Sequence, residues 1–176
     1  MWAAFVLGAC QTLPDLAHPQ VYEKDGISFR LPANWEVSDD VAQPDKRLAR
    51  YIIVEAASAG SIIGIQIYRP PLEMTLLEYA GNHRARMLEN SLVKLLDGQS
   101  TQDVRPISGG LGGVMRDGVV YNVNLSLLGQ DVPHTVRFSR VDVTGATAYL
   151  VMQVPDEDWA GDRPGFELFS ESFSMK

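Results

Sequence analysis

The chain has 176 residues, a formal net charge of −7, 45% hydrophobic and 21% charged residues, the composition of an ordinary folded domain able to bury a core. The acidic balance recommends neither nucleic acid nor an anionic membrane as the main partner, since those need Lys and Arg concentrated on one face. The one cysteine excludes an internal disulfide or a cysteine-rich zinc site, the histidines are only His18, His83 and His134, and no apolar run reaches the roughly 18 residues of a membrane span.

The chain opens Met1-Trp2-Ala3-Ala4-Phe5-Val6-Leu7, an apolar run that passes through Gly8-Ala9 to Cys10. Leu7-Gly8-Ala9-Cys10 resembles the bacterial lipobox, in which small residues precede a cysteine whose sulfur takes a diacylglycerol. The resemblance implies lipidation at Cys10 and a place on the periplasmic face of the cell envelope, with the membrane reached through that lipid alone. No basic residue precedes the run and the run is short, as in a truncated leader. The alternative is a hydrophobic N-terminal element with a buried free thiol. Gln11 to Pro19 holds two prolines and no period, and reads as a tether. The expected organisation is a leader, lipobox and tether over residues 1–19 and a single domain over 20–176.

Val21 to Leu31 predicts a hairpin about Asp25-Gly26, and Pro32-Ala33-Asn34-Trp35 breaks the second strand with an aromatic at the corner. Ser38 to Lys46 reads as a polar loop, with Asp39 and Asp40 as surface carboxylates. Tyr51 to Glu55 reads as a buried strand and Ser58 to Ser61 as a turn, after which Ile63, Ile65 and Ile67 alternate with Gly64, Gln66 and Tyr68. Thr75 and Glu78 form a capping box at the start of a helix. Its apolar face is Leu76, Tyr79, Ala80, His83, Met87, Val93 and Leu96, with a stop at Asp97-Gly98. On that face His83 is expected to be a packed, hydrogen-bonded histidine rather than a ligand.

Gly109 to Gly113 reads as a loop before an amphipathic strand over Val119 to Leu127. Thr135 to Val143 is a strand whose alternation slips near Ser139, which predicts a bulge. A turn at Thr144-Gly145 leads to a strand over Ala148 to Val154. Phe166, Phe169 and Phe173 are spaced for a C-terminal helix and its exit. The order predicts an α+β fold with a mainly antiparallel sheet flanked by helices.

The line Gly26-Ile27-Ser28-Phe29-Arg30-Leu31-Pro32-Ala33-Asn34-Trp35 resembles the opening of the PsbP/Mog-like superfamily, where a strand of the form G-x-x-F-x-x-P-x-x-W leads the domain. Ser172-Phe173 is similar to the close of that family, so the resemblance runs from Val21 to Phe173. It implies an α/β/α sandwich, in a family whose members mostly bind or scaffold. They include photosystem extrinsic subunits, a Ran-GTPase binder, envelope lipoproteins of the DcrB type and cytosolic adaptors for type VI secretion effectors. With the lipobox, the resemblance implies a non-catalytic DcrB-type lipoprotein that binds an unknown protein partner. Without it, the implied role is a cytosolic adaptor cradling an apolar segment of a secreted effector.

No local signature of catalysis stands out, and no catalytic residue or cofactor is expected. Gly109 to Gly113 lacks the Gly-Lys-Ser/Thr of a phosphate loop. Ser58 and Ser61 lie outside any nucleophile-elbow pattern, which leaves a small hydrolase with a site assembled across loops as a third reading. Asp156, Asp158, Gly161 and Glu167 occupy the first, third, sixth and twelfth places of an EF-hand loop. Ala160 and Arg163 depart from that pattern, so the expectation is a solvated acidic loop with no metal, and calcium is the alternative. Trp159 in this stretch is the candidate partner contact, against the alternative of a loop anchor packed on the sheet. Trp35 is expected in the core.

Overall fold

The computed structural model describes residues 12–43, 45–89, 99–100, 104–127 and 130–176. Cys10, the leader, and Val93 to Gly98 of the expected helix lie outside the described residues. Asp25 and Gly26 take left-handed backbone angles, φ +51° and +79°. This is the two-residue turn that joins twisted antiparallel strands without splaying them. It connects β1 (Gln20–Lys24) to β2 (Ile27–Leu31), and β2 buries Ile27, Phe29 and Leu31 on one face. The chain ends as β11 (Ser174–Met175) on the other side of β2, completing a small three-stranded sheet.

The larger sheet holds β3 (Glu36–Ala42), β4 (Leu48–Glu55), β5 (Ile62–Tyr68), β6 (Gln99–Ser100), β7 (Arg105–Leu111), β8 (Val114–Leu127), β9 (Gln130–Val143) and β10 (Ala146–Pro155). Their order is β3-β4-β5-β10-β9-β8-β6, with β7 also paired to β8, and every pairing is antiparallel. Helix α1 (Leu76–Glu89) packs on one face against β8 and β9. Helix α2 (Trp159–Ser172) and the small sheet cover the other. The architecture is the expected α+β sandwich.

Each face has its own core. Under α2 and the small sheet lie Ile52, Ile63, Ile65, Leu150, Phe29 and Phe169, and each such side chain contributes roughly 1.5–3 kcal/mol when fully buried. Under α1 the core is aromatic: Tyr79 stacks on Tyr149 with ring centroids 3.8 Å apart, and Phe138 packs edge-on to Tyr79. The capping box is present, with the Thr75 N–H donating to Glu78 Oε2 at 2.8 Å and the Glu78 N–H to Thr75 Oγ1 at 3.2 Å.

Four expectations fail, each for a local reason. Most of Ser38 to Lys46 belongs to an edge strand, because the exposed β3 carries polar side chains while Asp40 is drawn inward by Arg50. Gly109 and Gly110 lie within β7, and only Gly112 and Gly113 make the turn, at φ +60° and +72°. No bulge interrupts β9, whose register with β8 and β10 is unbroken. The slip in its alternation reflects a change of covered face: Val136 and Phe138 point to the α1 core, Val141 and Val143 to the other. Trp159 opens α2 and stands in no loop.

The described part of the segment read as a tether, residues 12–19, has no regular element, yet it is stitched to the Trp35 corner. The Ala33 N–H donates to the Asp15 carbonyl, the Asp15 N–H to Asn34 Oδ1, and Asn34 Nδ2 to the Leu13 carbonyl, each at 2.8 Å.

His83 is half-buried on α1, with Nδ1 3.0 Å from the Tyr121 hydroxyl and its ring against Phe138. Burial, and to a lesser degree the nearby Arg86, lower its pKa to about 4. The unfolded chain takes up a proton at its ordinary value near 6.5, across a window in which the folded chain does not. Stability is therefore expected to fall as pH drops from about 6.5 to about 4 and to lose nothing more from this group below that, by on the order of 3 kcal/mol at most. Urea midpoints measured across this window should slope in the parent and flatten in His83→Gln. An equal slope in both would assign the effect elsewhere.

Candidate functional site

Strand pairing sets Arg105 of β7, Val120 of β8, Arg137 of β9 and Met152 of β10 in one row across the sheet. This row lies on the face beneath α2. Between the helix and this end of the sheet is an open cleft of about 480 Å³, within the size range of small-ligand pockets. Ile107, Gly118, Met152 and Phe166 make its apolar lining, and Arg137, Trp159 and Arg163 stand at its polar end.

The Arg137 guanidinium lies over the Trp159 ring, 4.4 Å from its centroid. Trp159 in turn stacks on Phe166 at 5.9 Å, and Phe166 meets Trp35 edge-on at 5.1 Å. The aromatic column thus fixes Arg137 from the core outward, with a cation–π contact of about 0.5–2 kcal/mol. Arg137 Nε is sealed from solvent and has no hydrogen-bond partner among the described residues. Burial, with Arg105 and Arg163 adding like-charge repulsion, holds the Arg137 pKa below its ordinary value. Arg163 is paired with Glu167 at 2.7 Å on the helix surface.

The other sequence candidates are not gathered into a site. Asp156 accepts from the Thr135 hydroxyl at 2.6 Å, and Glu167 sits on α2 with Arg163. Helix α2 occupies most of the span an EF-hand loop would need. Among the described residues no group of three or more histidine, cysteine or acidic side chains is placed to hold a metal. Ser58 donates a short hydrogen bond to the fully buried Asp162, tying the β4–β5 turn to the first turn of α2. His134 keeps Nδ1 on the Val132 carbonyl at 2.9 Å. The carboxylate therefore holds a hydroxyl and orients no imidazole, so these residues do not form a nucleophilic relay. Asp39 is exposed, and Asp40 pairs with the buried Arg50 at 2.7 Å.

Arg137 is the site residue the sequence reading missed. Its one signal was a long cation between Val136 and Phe138 in mid-strand, where a fully covered sheet face would carry an apolar side chain.

No protein-family model matches the chain, and no curated protein matches it. Among solved structures, the cyanobacterial PsbP (CyanoP) of Synechocystis sp. PCC 6803 is similar at a TM-score of 0.50 and 14% identity. The match covers 97% of this chain and 99% of that one. A looser likeness, at a TM-score of 0.45 and 13% identity over 90% of each chain, is to LpqN of Mycobacterium tuberculosis, a protein involved in cell envelope biogenesis. The chain has a PsbP-like fold. The likeness to CyanoP extends over nearly the whole of both chains, and at this identity it concerns the fold alone.

Proposed function

We propose that the protein is a non-catalytic binding module of the cell envelope, held at the membrane by a lipid on Cys10, in the manner of a DcrB-type lipoprotein. The observation that carries this reading is Leu7-Gly8-Ala9-Cys10, a lipobox pattern placed ten residues ahead of the first strand of a PsbP-like fold. Among the described residues no helix is long and apolar enough to cross a membrane, so attachment in this reading is through acyl chains. Two or three chains, at about 0.8 kcal/mol per buried CH₂, anchor stably where one does not. The partner in this reading is a protein, with Trp159 as its candidate contact.

The test is the mature N-terminal mass of the protein expressed from its native locus, together with detergent partitioning and a Cys10→Ala control. A diacyl-modified Cys10 at a new N-terminus, lost in Cys10→Ala, is the expected result. An unmodified protein in the soluble fraction would sink the envelope address and favour the cytosolic adaptor.

A further inference from the structure

We propose that the cleft between α2 and the β7–β9 end of the sheet binds a small amphiphile: one oxyanion group, carboxylate or phosphate, on an apolar body. The proposal goes beyond the tethered-module reading and stands with or without a lipid on Cys10.

The polar end of the cleft is built for an anion. In a chain of net charge −7, Arg105, Arg137 and Arg163 are close enough for both neighbours to act on Arg137. Arg163 is paired with Glu167, so Arg137 is the lining cation left to a ligand. An oxyanion there offsets the like-charge repulsion on Arg137 and can accept from its guanidinium in the planar, forked geometry that favours carboxylate and phosphate. Arg137 is already oriented, because Trp159 and Phe166 stack beneath it. Its ordering cost is met before any ligand arrives. The acidic groups on the cleft are disposed to tolerate this: Glu167 is held by Arg163, and Glu171 belongs to the last turn of α2, away from Trp159.

The rest of the cleft takes an apolar body. Ile107, Met152 and Phe166 line it, and Gly109 and Gly110 have nothing within 4 Å of where a Cβ would stand. Gly109 shares the face of Ile107 on β7, so a side chain there would occupy the groove, while one at Gly110 would point to the opposite face. Gly118 differs, since its Cβ would meet the Phe138 carbonyl oxygen at 3.0 Å and Ile107 Cγ1 at 3.1 Å, so that glycine serves packing. Gly109 faces α2 in the register of β7 and has no positive φ, so a β-branched residue fits its backbone.

The experiment is calorimetric titration of the full chain with decanoate, decyl phosphate, acetate and inorganic phosphate, with Trp159 fluorescence as a second readout. At least one of the two tailed anions should bind a single site about tenfold or more tighter than its tailless counterpart, and the carboxylate and phosphate arms say which head group is preferred. Arg137→Gln and Gly109→Val should each weaken that binding by about tenfold or more, the first by removing charge and the second by filling the groove. Arg105 and Arg163 are exposed, so Arg105→Gln combined with Arg163→Gln tests the charge without disturbing the fold and should weaken binding likewise. Equal binding of acetate and inorganic phosphate would leave a bare ion site and overturn the proposal. So would the absence of heat from all four anions, or binding that the folded variants leave unchanged.

Discussion

Gly165→Ala is expected to destabilise the protein by about 2 kcal/mol or more, although alanine is the better helix former. Gly165 lies in α2 where the helix crosses the corner between β2 and β3. A Cβ there would stand 2.4 Å from Trp35 Cζ2, 2.7 Å from Cη2 and 3.0 Å from Pro32 Cγ. Trp35 is 1% exposed and wedged against Phe166, and Pro32 is a rigid ring, so neither neighbour can yield cheaply. Helix propensity returns about 1 kcal/mol, while overpacking into a dense core costs 1–3 kcal/mol and sometimes more. The steric term wins. A double-mutant cycle isolates this contact. Trp35→Phe removes both ring atoms nearest the new methyl, at its own cost in cavity. In that background Gly165→Ala should cost nothing or stabilise, giving a coupling of at least about 1 kcal/mol by urea denaturation. The same loss in both backgrounds would show that contact with Trp35 is not the cause.

This contact bears on function because α2 is the common wall. Its inner side carries Gly165, Phe166 and Phe169 into the core, and its edge carries Trp159 and Arg163 to the cleft. The corner Pro32 to Trp35 sets where the helix rests, and the helix sets where Trp159 holds Arg137. What could be read from sequence follows this division. The Asp25-Gly26 turn, the Pro32–Trp35 corner, the Thr75–Glu78 cap and the Phe166–Phe173 spacing were legible because each depends on neighbours within a few residues. β3 was not legible, since an edge strand exposes polar groups and its alternation is hidden among Ser38, Asp39 and Asp40. β7 was hidden by Gly109 and Gly110, which read as a loop until β8 supplies their partners. The cleft itself joins Ile107, Arg137 and Trp159 from β7, β9 and α2, and nothing local marks that they meet. Trp159 was found as a candidate for its chemistry, but its role as the platform for Arg137 needed the sheet register.

Asp40→Ala is expected to cost about 3 kcal/mol, against under about 1 kcal/mol for Lys24→Ala, although both side chains belong to one ion-pair network. Arg50 is 5% exposed. Asp40 takes its Nε at 2.7 Å and an Nη at 2.8 Å, while Asp25 and the Tyr22 hydroxyl accept from the remaining fork. Deleting Asp40 leaves a buried guanidinium with one carboxylate that is itself largely exposed. Lys24 is more than half exposed, so its bond to Asp40 is screened by water. The Arg50 hydrogen bonds hold the Asp40 pKa well below the ordinary carboxylate range, helped by Lys24 and Tyr22 and opposed by burial. A depressed carboxylate contributes stability that is present above its unfolded value, near pH 4, and lost as pH falls towards the folded one. The parent should therefore lose stability below about pH 4 more steeply than Asp40→Asn, in a window beneath that of His83. The network also joins the two sheets, Tyr22, Lys24 and Asp25 from the hairpin side and Asp40 and Arg50 from β3 and β4. Its loss should speed amide exchange in β1 and β2 before β9 and β10. Because Gln20 of β1 also donates to the Ala33 and Trp35 carbonyls at 2.8 and 2.9 Å, the loosening should reach the corner on which α2 rests. If amide exchange rises uniformly across both sheets, the network does not clamp the hairpin to the larger sheet.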